Sequence, residues 1–256
     1  MDTHTFKEIP MIKRTKLLCA MALATLGLFH AGDASAQTKM YGLDTGIYCS
    51  KDGAGYKGLA CDIMAEVSKR SGNTGGIEIL PLARAAEVLA PATPFMVAPM
   101  AADGKNEKIY DFFAKFAEDE YVFVGAAGSA VDISTLEKAK EVRIGVLRGT
   151  SSEKIANAKG ITKFEPTNQN SQNANKLMAG NIDAWLSTWN GARSAAKAAG
   201  EDPAKLRKGA VLASVSMYLA ASPGTDKAIV AKWKDAFESM KKDGTLDKIL
   251  KKYDWQ

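Results

Sequence analysis

Val142-Arg143-Ile144-Gly145-Val146-Leu147-Arg148-Gly149-Thr150-Ser151-Ser152-Glu153-Lys154-Ile155 is the stretch whose reading decides the fold. Its apolar first half predicts a short buried strand. Gly149 predicts a tight turn, and Thr150-Ser151-Ser152 ahead of Glu153 the start of a helix. Such a junction aims free backbone N–H groups and the positive end of a helix dipole into one small space, which suits a carboxylate or another anion. An ordinary βα turn with no ligand has the same signature, so the rest of the chain must decide between the two.

Outward from this stretch, strand and helix alternate. Upstream, a weak strand pattern starts at Met40 and runs into Asp44-Thr45-Gly46, followed by loop residues Ser50 to Gly55. Leu59, Ile63, Met64 and Val67 have helical spacing that stops at Ser71-Gly72-Asn73. Ile77 to Pro81 reads as a strand, Arg84 to Leu89 as a short helix, and Phe95 to Met100 as a strand. The region from Ala101 to Lys115 reads as polar and irregular apart from Ile109-Tyr110-Asp111-Phe112-Phe113, and Tyr121 to Gly125 as a further strand. Downstream, Lys163 to Glu165 is a short strand and Asn173 to Met178 a helix. Ile182 to Leu186 is a strand whose last residues, Ser187 and Thr188, lead into a loop, and Ala192 to Ala199 is a helix. Val211 to Ala221 is extended, and Lys227 to Leu250 is helical with a break at Asp243-Gly244. This alternation predicts an α/β fold whose sheet is mostly parallel, with helices on its faces and ligands beyond the carboxyl ends of its strands.

The first residues read differently. Lys13, Arg14 and Lys16 precede the apolar run Leu17 to Phe29, and Ala34-Ser35-Ala36 offers a small-x-small cleavage site before Gln37, so residues 1–36 are expected to be a signal peptide. Met11 is an alternative start to Met1. The apolar run is shorter than a membrane-spanning helix needs, no other segment comes close, and Cys19 is too early in the run for a lipid anchor. Removing 1–36 takes away four bases and three acids, which lowers the formal charge from +5 to +4. The remaining lysines are densest from Lys227 to Lys252, where they alternate with acids as on a solvated helix face, which gives no reason to expect nucleic acid as a partner. His4 and His30 both lie in the leader, so the mature chain offers neither a histidine-dependent hydrolase scheme nor a histidine metal cluster. Cys49 and Cys61 remain, and a disulfide or two buried thiols fit them equally.

Several segments, in this order, resemble the family 3 solute-binding proteins, the extracytoplasmic receptors of polar amino-acid ABC transporters. Gly58-Leu59-Ala60-Cys61-Asp62-Ile63 is similar to the family's Gly-Phe-x-x-Asp-Leu start of a helix, and Lys108-Ile109-Tyr110-Asp111-Phe112 to the segment after its Thr-x-x-Arg motif. The opening stretch is similar to the strand and Gly-Thr/Ser turn of the second lobe. Lys176-Leu177 with Gly180-Asn181-Ile182-Asp183-Ala184 is similar to Lys-Leu-x-x-Gly-x-Ile/Val-Asp-Ala. Asp243-Gly244-Thr245-Leu246, Ile249 and Lys252-Tyr253 are similar to the C-terminal signature. The resemblance spans nearly the whole mature chain. It implies a two-lobe, type II periplasmic-binding-protein-like fold, each lobe a mixed, mostly parallel sheet flanked by helices. One lobe would run over 38–125 plus 212–256 and the other over 126–211, with two hinge crossings and a ligand held between them.

In the family, the arginine of Thr-x-x-Arg holds the ligand's α-carboxylate, aided by the Gly-Thr turn, and an aspartate five residues after the Asp of Asp-Ala receives the ammonium. Here the arginine position is Asn106, within Asp103-Gly104-Lys105-Asn106, and the ammonium position is Thr188. Lys105 or Lys108 reaches the arginine's place only in a shifted register, and lysine lacks the planar fork. Without either anchor, an α-amino acid would bury both charges unpaired, which is costly. The remaining candidates for ligand binding are Asp44 at the end of the first strand, Tyr48 and Tyr56 near the cleft, and Arg84, at a position where relatives carry a stacking aromatic. Gly149, Thr150 and Ser151 of the opening turn complete the set, while Trp185 and Trp189 beside Thr188 read more simply as core.

The resemblance thus implies a periplasmic receptor that captures a small polar solute, anionic or neutral and other than a standard α-amino acid, for an ABC importer. It is expected to be a monomer and not an enzyme, with no cofactor and no metal, and with a transporter permease as its candidate partner. Two alternatives stand beside it: a periplasmic enzyme on the same fold, similar to cyclohexadienyl dehydratase, and a receptor-like accessory subunit of a periplasmic partner.

Overall fold

The computed structural model describes Met1 and residues 37–256, apart from 91–93 and 103. The leader expected over 1–36, with Met11, Cys19 and both histidines, and Asp103 of the motif lie outside the described residues. The first half of the sheet is built from β1 (Lys39–Asp44), β4 (Ile77–Pro81) and β5 (Phe95–Ala101), with β1 pairing in parallel with both others. A small hairpin, β2 (Ser50–Asp52) and β3 (Gly55–Lys57), precedes helix α1 (Leu59–Ser71), and α2 (Leu82–Leu89) follows β4 directly. The second half contains β7 (Ile144–Leu147), β8 (Phe164–Thr167) and β9 (Ala184–Thr188), with β7 parallel to both neighbours. Its helices are the short α3 (Leu136–Ala139), α4 (Ser151–Ala158), α5 (Asn170–Met178) and α6 (Trp189–Ala198).

Two long strands, β6 (Asp111–Ala126) and β10 (Leu206–Ala221), pair antiparallel along their length and join the halves, giving the order β4-β1-β5-β10-β6-β9-β7-β8. Each changes its company along the way. The Met217–Ala221 end of β10 pairs with β5, and Tyr121–Val124 of β6 pairs with β9. Helices α7 (Lys227–Lys242) and α8 (Thr245–Lys252) return the chain to the first half.

Hydrophobic spacing explains the packing. Leu59, Ile63, Met64 and Val67 lie on one face of α1 and meet Val230, Trp233, Phe237 and Met240 of α7 in one core. Val122, Phe123 and Val124 are fully buried, their alternation feeding the cores on both faces of the second half, and each contributes ~1.5–3 kcal/mol through apolar burial. Trp185 belongs to the same core.

Cys49 and Cys61 are joined in a disulfide with a Cα separation of 5.3 Å. Gly42 makes room for it: a Cβ there would stand 2.8 Å from the Cys61 sulfur and 2.7 Å from Ile79 Cδ1. Asp183, the aspartate of the Ile-Asp-Ala segment, is a structural clip. It accepts from the Arg143 backbone N–H at 2.9 Å and from its guanidinium at 2.8 and 3.0 Å, tying the start of β7 to the start of β9. The Arg143 hydrogen bond holds this carboxyl below the usual value.

Two sequence expectations change here. The strand expected from Tyr121 already starts at Asp111, because pairing with β10 supplies the hydrogen bonds that the polar composition of Lys115 to Glu120 obscured. Ser187 and Thr188 are the last residues of β9, as expected, and pair with Val122 and Tyr121, but no loop follows: α6 starts at once with Trp189.

Candidate functional site

In a parallel sheet, the carboxyl ends of the strands point the same way, and the loops that follow them gather at one edge. Here those edges from both halves face one cavity of about 510 Å³. The first half brings Leu43 and Asp44 from the end of β1, Leu82 from just after β4, and Pro99 to Ala101 from the end of β5. The second brings Gly149 to Ser152 from after β7, Asn168 to Asn170 from after β8, and Ser187 and Thr188 from the end of β9. The first N–H groups of α4 and α5 have no acceptor within their own helices, and both helices begin at this wall.

The structure brings Asp44, Tyr48, Asn106, Gly149, Thr150, Ser151 and Thr188 together around this cavity. It does not bring Arg84. Helix α2 begins at Leu82, directly after Pro81, rather than at Arg84. The residue over the strand end is therefore Leu82, 44% exposed at the cavity, and Arg84 is exposed on the helix away from it. Tyr56, Trp185 and Trp189 do not line the cavity either. Tyr56 packs on the core beside α1, and the Trp189 indole N–H donates to Gln256 Oε1 at 3.4 Å.

Several of these groups are already committed. The Thr150 hydroxyl donates to the Leu147 carbonyl at 2.7 Å and lies 2.8 Å from the Ser152 hydroxyl. The Gly149 N–H donates to Glu153 Oε2 at 2.6 Å, and Gly149 has φ 72°, a conformation that strains any residue with a Cβ. The Asn106 amide donates weakly to the Ala101 carbonyl at 3.4 Å. Ser151 and Tyr121 both line the cavity, and the Tyr121 phenol is pushed up chiefly by burial. Other groups have no partner. Asn170 Oδ1 is buried in the cavity wall without a hydrogen bond, and the carboxylate of Asp44 and the ammonium of Lys154 form no ion pair among the described residues.

Behind Tyr48 lies a network that sequence reasoning missed. Asp119, on β6, is only 4% exposed, although Glu118 and Glu120 on either side face outward. Its Oδ2 accepts from the Tyr48 hydroxyl at 3.1 Å, and its Oδ1 from the N–H groups of Glu120 at 2.8 Å and Asn190 at 3.3 Å. Burial pushes the Asp119 carboxyl up against the opposing effect of these hydrogen bonds, and burial followed by the Asp119 charge raises the Tyr48 phenol well above its ordinary value. Asn190 in turn exchanges hydrogen bonds with the Gln256 backbone, 2.9 Å to its carbonyl and 3.0 Å from its N–H. Arg193 and Lys197 of α6 hold Asp254 at 2.7 and 3.0 Å, and Trp255 packs edge-on against Tyr48 with 5.6 Å between ring centroids. The segment after α8 thus straps the first half to α6 of the second. The signal for this was period two: in a strand, one acid of three consecutive acids points the other way.

A scan of protein-family models gives no match to the chain, and neither does a search of curated protein sequences. Solved structures do match. The chain is similar to a histidine kinase sensor domain with similarity to periplasmic binding proteins, at 15% identity and a TM-score of 0.69 over 84% of this chain and 95% of that one. It is equally similar, TM-score 0.69, to a mutant of the protein ArgBP from T. maritima, at 18% identity over 86% of this chain and 96% of that one. An ancestral amino acid-binding protein described as a precursor of cyclohexadienyl dehydratase matches at 21% identity and a TM-score of 0.67, over 86% and 96%. The architecture is therefore the two-lobe, type II periplasmic-binding-protein fold, as the sequence resemblance implied. Among the described residues, no helix is long and apolar enough to cross a membrane.

Proposed function

We propose that the chain is a periplasmic solute-binding receptor of the family 3 type. It would capture a small polar solute, anionic or neutral and other than a standard α-amino acid, between its lobes for delivery to an ABC importer. One observation carries this: the strand ends of both halves build the two walls of one cavity, and β6 and β10 are the long strands that cross between them. In this reading residues 38–125 and 212–256 make one lobe and 126–211 the other, β6 and β10 contribute an end to each, and closure about them encloses the solute. The solved structures of similar fold include amino-acid-binding proteins and a substrate-binding protein of an amino acid ABC transporter, which supports a binding role in preference to an enzymatic one. Asn106 and Thr188 stand where an α-amino acid would require opposite charges, which supports a different solute.

The test is thermal unfolding of the purified protein against a panel of amino acids, organic acids, small amines and other polar metabolites. A cognate solute at 100 times its dissociation constant adds ~2.7 kcal/mol, which for a chain of this size raises Tm by about 5–10 °C. Stabilisation by a standard α-amino acid alone would refute the solute class, and no stabilisation by any solute would refute the receptor reading. Turnover of prephenate or arogenate would favour the enzyme.

A further inference from the structure

Resting on the receptor reading for the movement of the halves about β6 and β10, we infer that residues 253–256 are a latch across the gap between the halves, which sets how readily they close on a solute. Asp254 marks it as an outlier of the backbone. Five helices, α1, α4, α5, α6 and α7, end at a left-handed residue that is glycine each time: Gly72, Gly160, Gly180, Gly200 and Gly244. Helix α8 ends in the same kind of turn, with the Asp254 N–H on the Lys251 carbonyl at 3.0 Å and the Trp255 N–H on the Leu250 carbonyl at 3.1 Å. Its left-handed residue is Asp254, at φ 52°, and among the described residues no other residue but glycine has a positive φ. A side chain at this position is strained where glycine is not.

What the strained residue holds explains its place. Arg193 and Lys197 of α6 grip its carboxylate at 2.7 and 3.0 Å. Among the described residues these are the only ion pairs that join the two halves, apart from Lys208 with Glu120 on the crossing strands themselves. Next to them Gln256 exchanges hydrogen bonds with Asn190, and Trp255 backs Tyr48 of the solute cavity. The latch also lies along the same gap as that cavity. The solute cavity shares Thr45, Gly46, Gln169 and Asn170 with a second space of about 340 Å³. This in turn shares Ile47, Ser194 and Tyr253 with a third of about 160 Å³, where Arg193, Lys197 and Asp254 stand. All three are lined from both halves, so a rotation that parts the walls draws Asp254 and Gln256 away from α6, and one that brings the walls together makes these bonds. The latch therefore favours the closed arrangement, and a smaller closed fraction weakens solute binding in proportion.

Small-angle X-ray scattering of the purified full chain, without solute, tests the inference. Asp254→Gly keeps the left-handed turn and removes the carboxylate, whereas Arg193→Glu with Lys197→Glu sets two acids against it. Loss of the ion pairs should lower the closed-to-open ratio about two- to fivefold, read as a radius of gyration larger than the parent's and largest in the charge-reversed variant. Adding Asp254→Lys to the charge-reversed variant should bring the radius back toward the parent's. A residue that merely ends α8 would give way to glycine with no change in radius. Circular dichroism melting shows that the variants fold, and Arg193→Gln with Lys197→Gln takes the place of the charge-reversed variant if that one does not melt cooperatively. A radius equal to the parent's in both Asp254→Gly and the variant of α6 would overturn the inference. Because no solute enters this measurement, the receptor reading is judged separately by the thermal panel. Wider variants with no stabilising solute would keep the latch and refute the receptor, and unchanged variants with a stabilising solute would do the reverse.

Discussion

Around Asp119 each carboxylate oxygen has found a donor, whereas the Asp44 carboxylate at the cavity has found none among the described residues. Both aspartates lie where the two halves of the sheet meet, yet one network is closed on itself and the cavity is left with Asp44, Lys154 and Asn170 Oδ1 unpartnered among the described residues. The difference teaches what each region is for. A satisfied buried network fixes geometry at a crossing strand, and unpartnered polar groups at a cavity are groups that a solute can complete.

The comparison can be broken most forcefully at Asp119. Asp119→Ala leaves the Tyr48 hydroxyl and two backbone N–H groups without an acceptor, with an expected loss of about 3 kcal/mol by denaturant unfolding. Asp119→Asn should lose less than half of that, since its oxygen can still accept both N–H groups while the Tyr48 hydroxyl turns to accept from the new amide. A smaller effect is expected at the strap. Arg193→Ala removes the hydrogen bonds to the Asp254 carbonyl at 2.8 Å and carboxylate at 2.7 Å, an exposed contact whose loss should lower the denaturation midpoint by less than Asp119→Ala does. The smallest stability effect belongs to the other region: Asp44→Asn and Lys154→Gln should each change stability by less than about 0.5 kcal/mol, because neither side chain has a partner to lose.

Acid titration sharpens the same contrast, because two aspartates of one network respond in opposite senses. The folded-state value of Asp119 is raised by burial, so the native state holds its proton more tightly than the unfolded chain. The corresponding stability is present below the unfolded value near 4 and is lost as pH rises through the raised folded value. Asp254 is held down by the Lys197 hydrogen bond and then the Arg193 charge, so its contribution is present above the unfolded value and is lost as pH falls through the lowered one. Relative to the parent, Asp119→Asn should therefore gain in stability as pH rises from 4 toward 7, and Arg193→Ala should show its deficit at pH 7 and see it shrink as pH falls below about 4, both read from urea midpoints.

Much of the fold was legible in the sequence because strand and helix periods are local. Val142 to Ile155 reads as strand, turn and helix and is β7, the Gly149 turn and α4. The cavity wall was legible wherever a residue follows a strand end, as at Asp44 and Thr150. Arg84 was placed at the cleft by the resemblance alone; α2 starts directly after Pro81, so Leu82 stands at the cavity and Arg84 does not line it. Lys154 and Asn170 were passed over because each sits in a polar run that looks solvated until both lobes are seen facing one space. Asp119 was hidden for the converse reason: between two outward-facing acids it reads as surface, and only the pairing of β6 with β10 and β9 shows that its side chain turns inward.

The central claim, that a solute completes the unpartnered groups of the cavity and draws the lobes together, is tested most directly by small-angle X-ray scattering of the protein with and without the solute that raises its Tm. Closure about β6 and β10 predicts a smaller radius of gyration at saturation, and an unchanged radius in Asp44→Asn at the same solute concentration. An unchanged radius in the parent protein, at a concentration where calorimetry shows the site to be filled, would contradict it.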